Sequence, residues 1–389
     1  MIGKTEQADK RTHFTERAWL EINLSNLRHN AKALQKAMPE GCALMAVVKC
    51  DAYGHGGVLA AKELERTGVR SFATATMEEA VRLRENGITG EILILGYTDA
   101  GRARDLCGYN LMQSVIGYEY ARLLDEAAAC AGVSVQVHIK IDTGMHRLGI
   151  SAGKTSEAGM VFAMQNLEVC GIYTHLCCAD SMRPEDIACT RGQIASFYRL
   201  TGALEKEGIR LPKLHIQSSY GLLNYPELRC DYVRAGIALY GVRSKPENDT
   251  VLNLELRPVL SLKSRVVLIR PVKKGETFGY GRQFLAERDS RIAILPVGYG
   301  DGYPGDLSCG RGCVLIGGYS APVIGRICMD QLAVDITEAE EIRMGDTALL
   351  IGGAGVSSQT APAVAAASGR IANELLCRMG ARLPVVPVE

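Results

Sequence analysis

Two periods of apolar residues alternate along the first 250 positions of the chain. Ala18-Trp19-Leu20-Glu21-Ile22 reads as a strand. Asn23 to Met38 follows with Leu27, Ala31, Leu34 and Ala37 at helical spacing. Eight further apolar runs read as strands: 44–49, 71–75, 91–95, 112–116, 135–142, 169–175, 213–218 and 232–239. Amphipathic stretches lie between them, among them 58–66, 77–86, 118–130 and 185–207.

Eight strands with intervening helices predict an α/β fold with an N-terminal (β/α)8, TIM-like barrel. An open doubly wound sheet is the rival, but no Gly-x-Gly-x-x-Gly follows the first strand. The pattern changes after Ser244-Lys245-Pro246-Glu247-Asn248-Asp249, which reads as a linker. Strand-like segments then dominate: 262–268, 291–297, 322–327 and 346–351, with a return to helix over 361–378. The division expected is a flexible tail or linker over 1–16, a barrel over 17–250 and a mainly β domain over 251–389.

Composition narrows the functional classes. A chain of 389 residues suits two domains, and 47% apolar residues can fill their cores. A net charge of +1 gives no footprint for nucleic acid. No apolar run approaches the ~18 residues that span a bilayer, so no membrane contact is expected of this chain. The polar start of the chain lacks the apolar core of a signal peptide. The 13 cysteines are scattered without paired Cys-x-x-Cys spacing; Cys177-Cys178, Cys309 and Cys313 read as packing or loop residues, and no metal is expected. A reducing cytoplasm fits this usage.

The chemistry concentrates where the first barrel strand stops. Ala46-Val47-Val48 runs into Lys49-Cys50-Asp51-Ala52-Tyr53-Gly54-His55-Gly56-Gly57. A lysine ending a buried strand is poised to lose solvation and its proton, and a neutral lysine amine condenses with aldehydes. A lysine that snorkels from the strand end into water is the plainer alternative. The stretch Lys-x-Asp-Ala-Tyr-Gly-His-Gly resembles the pyridoxal-phosphate lysine motif of the alanine racemase family, and the resemblance continues from about Arg17 to the end of the sequence.

That resemblance implies a pyridoxal 5'-phosphate enzyme with Lys49 holding the cofactor. It assigns Tyr53, Ser219 and the backbone of Gly236 and Ile237 to the phosphate, Arg234 to the pyridine nitrogen and His175 to the side of the ring. Within Lys140-Ile141-Asp142-Thr143-Gly144-Met145-His146-Arg147 it assigns Arg147 to the substrate carboxylate and makes Lys140 a candidate for carbamylation. His146 stands where a glycine is common in the family. Tyr280, in Phe278-Gly279-Tyr280-Gly281, matches the second catalytic base, with His175 and Arg234 as candidate partners in its network. Met329 would offer its backbone N–H to the substrate carboxylate and Tyr299 would line the entry. The resemblance further implies a head-to-tail homodimer with Tyr280 and Met329 supplied in trans, and two-base racemisation by Lys49 and Tyr280.

One departure bears on the substrate. Where the family usually reads Ile-Asn-Tyr-Glu, this chain reads Ile371-Ala372-Asn373-Glu374. The tyrosine ordinarily touches the phosphate and walls the side-chain space, so Asn373 leaves a larger and more polar pocket. The same departure occurs in serine racemases of vancomycin-resistance clusters, which often carry a membrane domain. The expectation is a serine and alanine racemase supplying D-serine for modified peptidoglycan precursors, in the cytoplasm or as the cytoplasmic part of an anchored protein. A housekeeping alanine racemase, a fold-related decarboxylase of basic amino acids and a non-catalytic cofactor-binding protein are the alternatives.

Overall fold

The computed structural model describes residues 15–247, 249–353, 359–380 and 382–389. The tail expected over 1–16 lies outside the described residues up to position 14, as does Asn248 of the linker.

The eight barrel strands are Ala43–Val47, Ser71–Thr74, Glu91–Ile94, Met112–Val115, Val135–Asp142, Leu167–Tyr173, Lys213–His215 and Tyr232–Ala235. All pair in parallel with their neighbours, and Tyr232–Ala235 returns to pair with Ala43–Val47. The ring closes where Ser218 bridges Arg234 and the Arg234 amide donates to the Gln217 carbonyl at 3.1 Å. Both faces of these strands are covered, which is why they read as unbroken apolar runs. Met45, Val47, Ala73, Leu93, Met112 and Tyr232 form an inner cluster, whereas Leu44, Ala46, Phe72 and Ile92 join the main core.

The helices around the barrel follow local signals. Leu24–Ala37 is capped by Asn23, whose Oδ1 accepts the Asn26 amide at 2.7 Å. Met77–Glu85 begins with a capping box between Thr76 and Glu79. Pro184–Lys206 starts on a proline, which needs no amide partner in the first turn.

A second, nine-stranded sheet is mainly antiparallel. It includes Leu260–Arg265, Leu268–Val272, Ser290–Leu295, Tyr319–Ile324 and Thr347–Ile351. Ala18–Asn23, grouped by sequence with the barrel residues, lies in this sheet. It pairs antiparallel with Leu260–Arg265 and parallel with Val385–Val388. Arg17 anchors the entry by a two-pronged ion pair to the fully buried Asp301, at 2.7 and 3.0 Å.

Three expected elements are shorter or divided. The strand expected over 232–239 stops at Ala235, and Ile237–Tyr240 is a 3-10 turn. The strand expected over 262–268 is two strands. The helix expected over 361–378 is Ala361–Ala367 and Ala372–Cys377, broken where Gly369 takes a φ of 72°.

Candidate active site

The C-terminal mouth of the barrel holds a cavity of about 420 Å³. Lys49, Tyr53, Lys140, Arg147, His175, Ser219, Arg234, Gly236, Ile237 and Asn373 all line it, so ten of the residues singled out in the sequence converge.

Lys49 opens an unusual turn. Cys50, Asp51, Ala52 and Tyr53 all have φ between 50° and 56°, forming a left-handed helical turn made of side-chain-bearing residues. Such a conformation costs roughly 1–2 kcal/mol per residue and needs support from outside. The Glu79 carboxylate accepts the Cys50 amide at 2.6 Å, and Asp51 accepts the Gly57 amide at 2.7 Å. The fully buried His55 stacks on Tyr240 at 4.4 Å, and Tyr240 donates to the Val47 carbonyl at 2.9 Å. The turn points Lys49 and Tyr53 into the cavity. Burial, and then the charge of Arg147, hold the Lys49 amine below the ordinary lysine value.

Arg234 is the most constrained cation of the site. It is 4% exposed and donates to the carbonyls of His215, Thr174 and Ile216 at 3.0, 2.6 and 3.1 Å. Nη1 also lies 2.9 Å from Nδ1 of His215. A guanidinium only donates, so His215 Nδ1 accepts and its proton sits on Nε2. That nitrogen is 2.8 Å from Nδ1 of His138, which therefore accepts in turn. Burial and the Arg234 charge keep His215 well below its ordinary value and bring His175 down to about 3. Both are neutral imidazoles at physiological pH. Burial lowers Arg234 itself to about 10, which leaves it protonated at neutral pH.

Lys140 is buried at the end of its strand. Burial first, and then Arg147 and Arg234, bring its amine down to about 8. The segment after it bends sharply. His146 adopts a φ of 53°, the left-handed conformation that a glycine takes without strain. Asp142 holds the bend by accepting the amides of Gly144 and His146 at 3.0 and 2.9 Å, and the His146 ring lies 3.1 Å from the same carboxylate.

One end of the cavity suits an oxyanion. The Tyr53 hydroxyl and Ser219 Oγ gather there with the backbone of Gly236 and Ile237. Ser219 Oγ accepts the amides of Gly236 and Ala238 at 3.0 and 3.3 Å. A Cβ on residue 236 would lie 2.5 Å from the Tyr53 hydroxyl, so only glycine keeps this end open. Nearby, Asn373 Oδ1 is buried without a protein partner.

Sequence reading missed several lining residues. Tyr173 stacks on His215 at 4.8 Å, and its hydroxyl is 2.8 Å from Ser114 Oγ. Its position two residues before His175 on an inward-facing strand was the available signal. Ser218, Tyr220 and Ser244 also line the cavity. Ser244 reaches it because its carbonyl accepts the Ala372 amide at 2.9 Å, a long-range contact with no local mark.

Three expected site residues stand apart from this cavity within the chain. Tyr280 is 70% exposed and lines a separate hollow with Phe278, Arg326 and Gln331. It makes no approach to His175 or Arg234 there. Tyr299 and Met329 are exposed on a shared surface, where the Tyr299 amide donates to the Cys328 carbonyl at 3.1 Å and the Gly300 amide to the Met329 carbonyl at 2.9 Å.

Residues 22–244 match the family model for the alanine racemase N-terminal domain, and residues 259–387 match that for the C-terminal domain. The chain belongs to the alanine racemase family. Members of this family are pyridoxal-phosphate-dependent isomerases. An amino-acid racemase of Enterococcus faecalis is 48% identical over 97% of this chain and 52% of its own length. A serine/alanine racemase of Enterococcus gallinarum is 38% identical over 96% of this chain and 52% of its own length. The chain thus spans about half the length of these two relatives. The solved alanine racemase of Clostridium difficile 630 superposes with a TM-score of 0.89 at 35% identity, covering 96% of both chains.

The residues present fit the family's cofactor. The open anion end, the lowered Lys49 amine and the donor-only Arg234 match a phosphate, an aldehyde and a ring nitrogen, and the unpartnered Asn373 Oδ1 lies at the same cavity.

Proposed function

We propose that this chain is an amino-acid racemase for serine and alanine, with Lys49 and Tyr280 carrying protons on opposite faces of the substrate Cα. The observation that carries the serine reading is Asn373. It lines the cavity where the family usually has a tyrosine, with its Oδ1 buried and unpartnered. A hydroxymethyl group offers that oxygen a donor, which a methyl group does not. The identity to a protein named serine/alanine racemase supports the same reading.

Lys49 would hold the cofactor's aldehyde carbon, and Tyr53, Ser219, Gly236 and Ile237 its phosphate. When bound, the cofactor draws electron density from Cα and acidifies its proton. Lys49, poised by burial, accepts or returns that proton on one face. Arg147 orients the substrate carboxylate through the fork geometry of its guanidinium. Arg234 would face the ring nitrogen as a donor that keeps its own proton, which would temper the electron sink. Lys140 is the carbamylation candidate; its lowered pKa leaves more of the neutral amine that reacts with carbon dioxide.

Tyr280 reaches such a site only from a second subunit. Its exposure, with that of Met329 and Tyr299, supports a head-to-tail dimer in which Tyr280 of the partner subunit completes each cavity. D-serine made this way would serve modified peptidoglycan precursors, and hence vancomycin resistance.

The deciding measurement is kcat/KM for L-serine and L-alanine on the purified chain with pyridoxal phosphate. Comparable values support the serine/alanine reading. A strong preference for alanine makes this an alanine racemase, the reading that the superposition on the Clostridium enzyme favours.

A further inference from the structure

Cys177 and Cys178 follow the cavity residue His175 at the end of a barrel strand, and Cys189 projects toward them from the second turn of Pro184–Lys206. The Sγ of Cys177 lies 3.4 Å from that of Cys178 and 3.9 Å from that of Cys189. All three sulfurs lie within 4.8 Å of one another, and no other such group of potential metal-binding side chains occurs among the described residues. The local spacing hid this cluster, because its third member comes from a separate element.

We propose that Cys177, Cys178 and Cys189 form a three-thiolate site for a soft d10 cation of the Zn²⁺ class. At a Zn–S bond of about 2.3 Å, the edge of a tetrahedron is ~3.8 Å, close to the separations already present. Three sulfurs satisfy one ion, whereas a disulfide would use two and strand the third. Cys177 and Cys189 are exposed, so an ion has an entry path and a fourth position open to water or an outside ligand. Without an ion the thiols donate outward, Cys177 to Gln193 Oε1 at 3.2 Å and Cys178 to the Asp186 carbonyl at 3.8 Å, and a bound cation would replace both bonds. Thr190 Oγ1 donates toward Cys178 Sγ at 3.9 Å, and Gln193 Oε1 accepts the Cys177 amide at 3.0 Å, fixing its backbone. The start of a long helix lies beside the cluster and favours negative charge.

An ordinary cysteine thiol is mainly protonated at neutral pH, whereas a metal ion binds the thiolate. A bound cation removes those protons outright. Binding therefore releases protons and strengthens as pH rises.

Co²⁺ binding to the full chain, reduced and kept anaerobic, tests the site with no reference to racemase activity. The expected result is one equivalent bound with intense visible bands and thiolate charge-transfer absorption, displaced by Zn²⁺. Cys189→Ser and Cys177→Ser should each weaken binding by more than the roughly 10–100-fold cost of losing an outer partner. Thr190→Val, which leaves all three sulfurs, should weaken it within that range. Unchanged melting temperatures establish that the variants fold. Weak pink octahedral cobalt, or equal affinity in wild type and Cys189→Ser, would overturn the proposal.

Discussion

Asn373 and Lys140 show how much one side chain decides in this cavity. Asn373→Tyr would restore the bulk that the family usually carries and cover the unpartnered carbonyl oxygen. The expected outcome is a loss of serine kcat/KM relative to alanine of about 1–3 kcal/mol, or 10–200-fold, with alanine turnover retained. Parallel kinetics on both substrates would show it, and an unchanged ratio would remove Asn373 from the account. Lys140 carries a pH signature. Its amine titrates at about 8 in the folded chain against a reference value of 10.5. Between those values the unfolded chain holds a proton that the folded chain has released. Folding is therefore favoured progressively as pH rises from about 8 to 10.5. Lys140→Met removes this contribution. The difference in unfolding free energy, wild type minus variant, should climb across that window in urea melts and stay flat below pH ~7.

At the scale of elements, the left-handed turn after Lys49 is the costliest local feature and the most dependent on its neighbours. Glu79 supports it directly while also closing the capping box of its own helix by accepting the Thr76 amide at 3.4 Å, and it accepts the Ala75 amide at 2.8 Å besides. Glu79→Ala should cost about 1.5–3 kcal/mol of stability, the range for bonds to a charged group, and should weaken pyridoxal phosphate binding by misplacing Tyr53. Calorimetry and cofactor titration would check the two effects together. Gly54→Ala should be worse for the cofactor than for the barrel, because the added methyl runs into the Leu376 carbonyl and pushes the turn from the helix carrying Asn373.

These elements also mark where sequence was informative. The barrel strands were legible to within a few residues, since burial on both faces leaves an apolar run that little else imitates. The ten converging residues were legible through specific motifs. The left-handed turn was not, because its supports come from Glu79 and Tyr240, far along the chain. The left-handed bend at His146 was hidden for a different reason: its support, Asp142, is only four residues away, but a histidine does not announce a positive φ as a glycine does. The break near Gly369 was missed because the alanine-rich run before it carries strong helix propensity.

At the scale of the whole molecule, Tyr280 and Lys49 belong to surfaces that one chain does not bring together. In the proposed dimer, a Lys49→Ala subunit still donates Tyr280, and a Tyr280→Phe subunit still supplies Lys49. Each variant alone should be inactive as a racemase. Unfolding and refolding the two together should restore activity, because a mixed dimer keeps one cavity with both bases. No recovery, with mixed dimers demonstrated by mass, would rule out Tyr280 being supplied in trans, and a fully active Tyr280→Phe would place it outside the reaction.

The strand Ala18–Asn23 has a further effect, on the order in which the molecule is made. Its two partners are Leu260–Arg265 and Val385–Val388. During synthesis it leaves the ribosome hundreds of residues before either of them. The barrel can close over 43–235 in the meantime, since its strands pair with near neighbours in sequence. Throughout that interval an apolar strand waits with both edges unpaired, the state in which nascent chains associate wrongly or recruit chaperones. The last few residues of this sequence then act as a latch: until Val385–Val388 emerges, the first strand has no neighbour on that side.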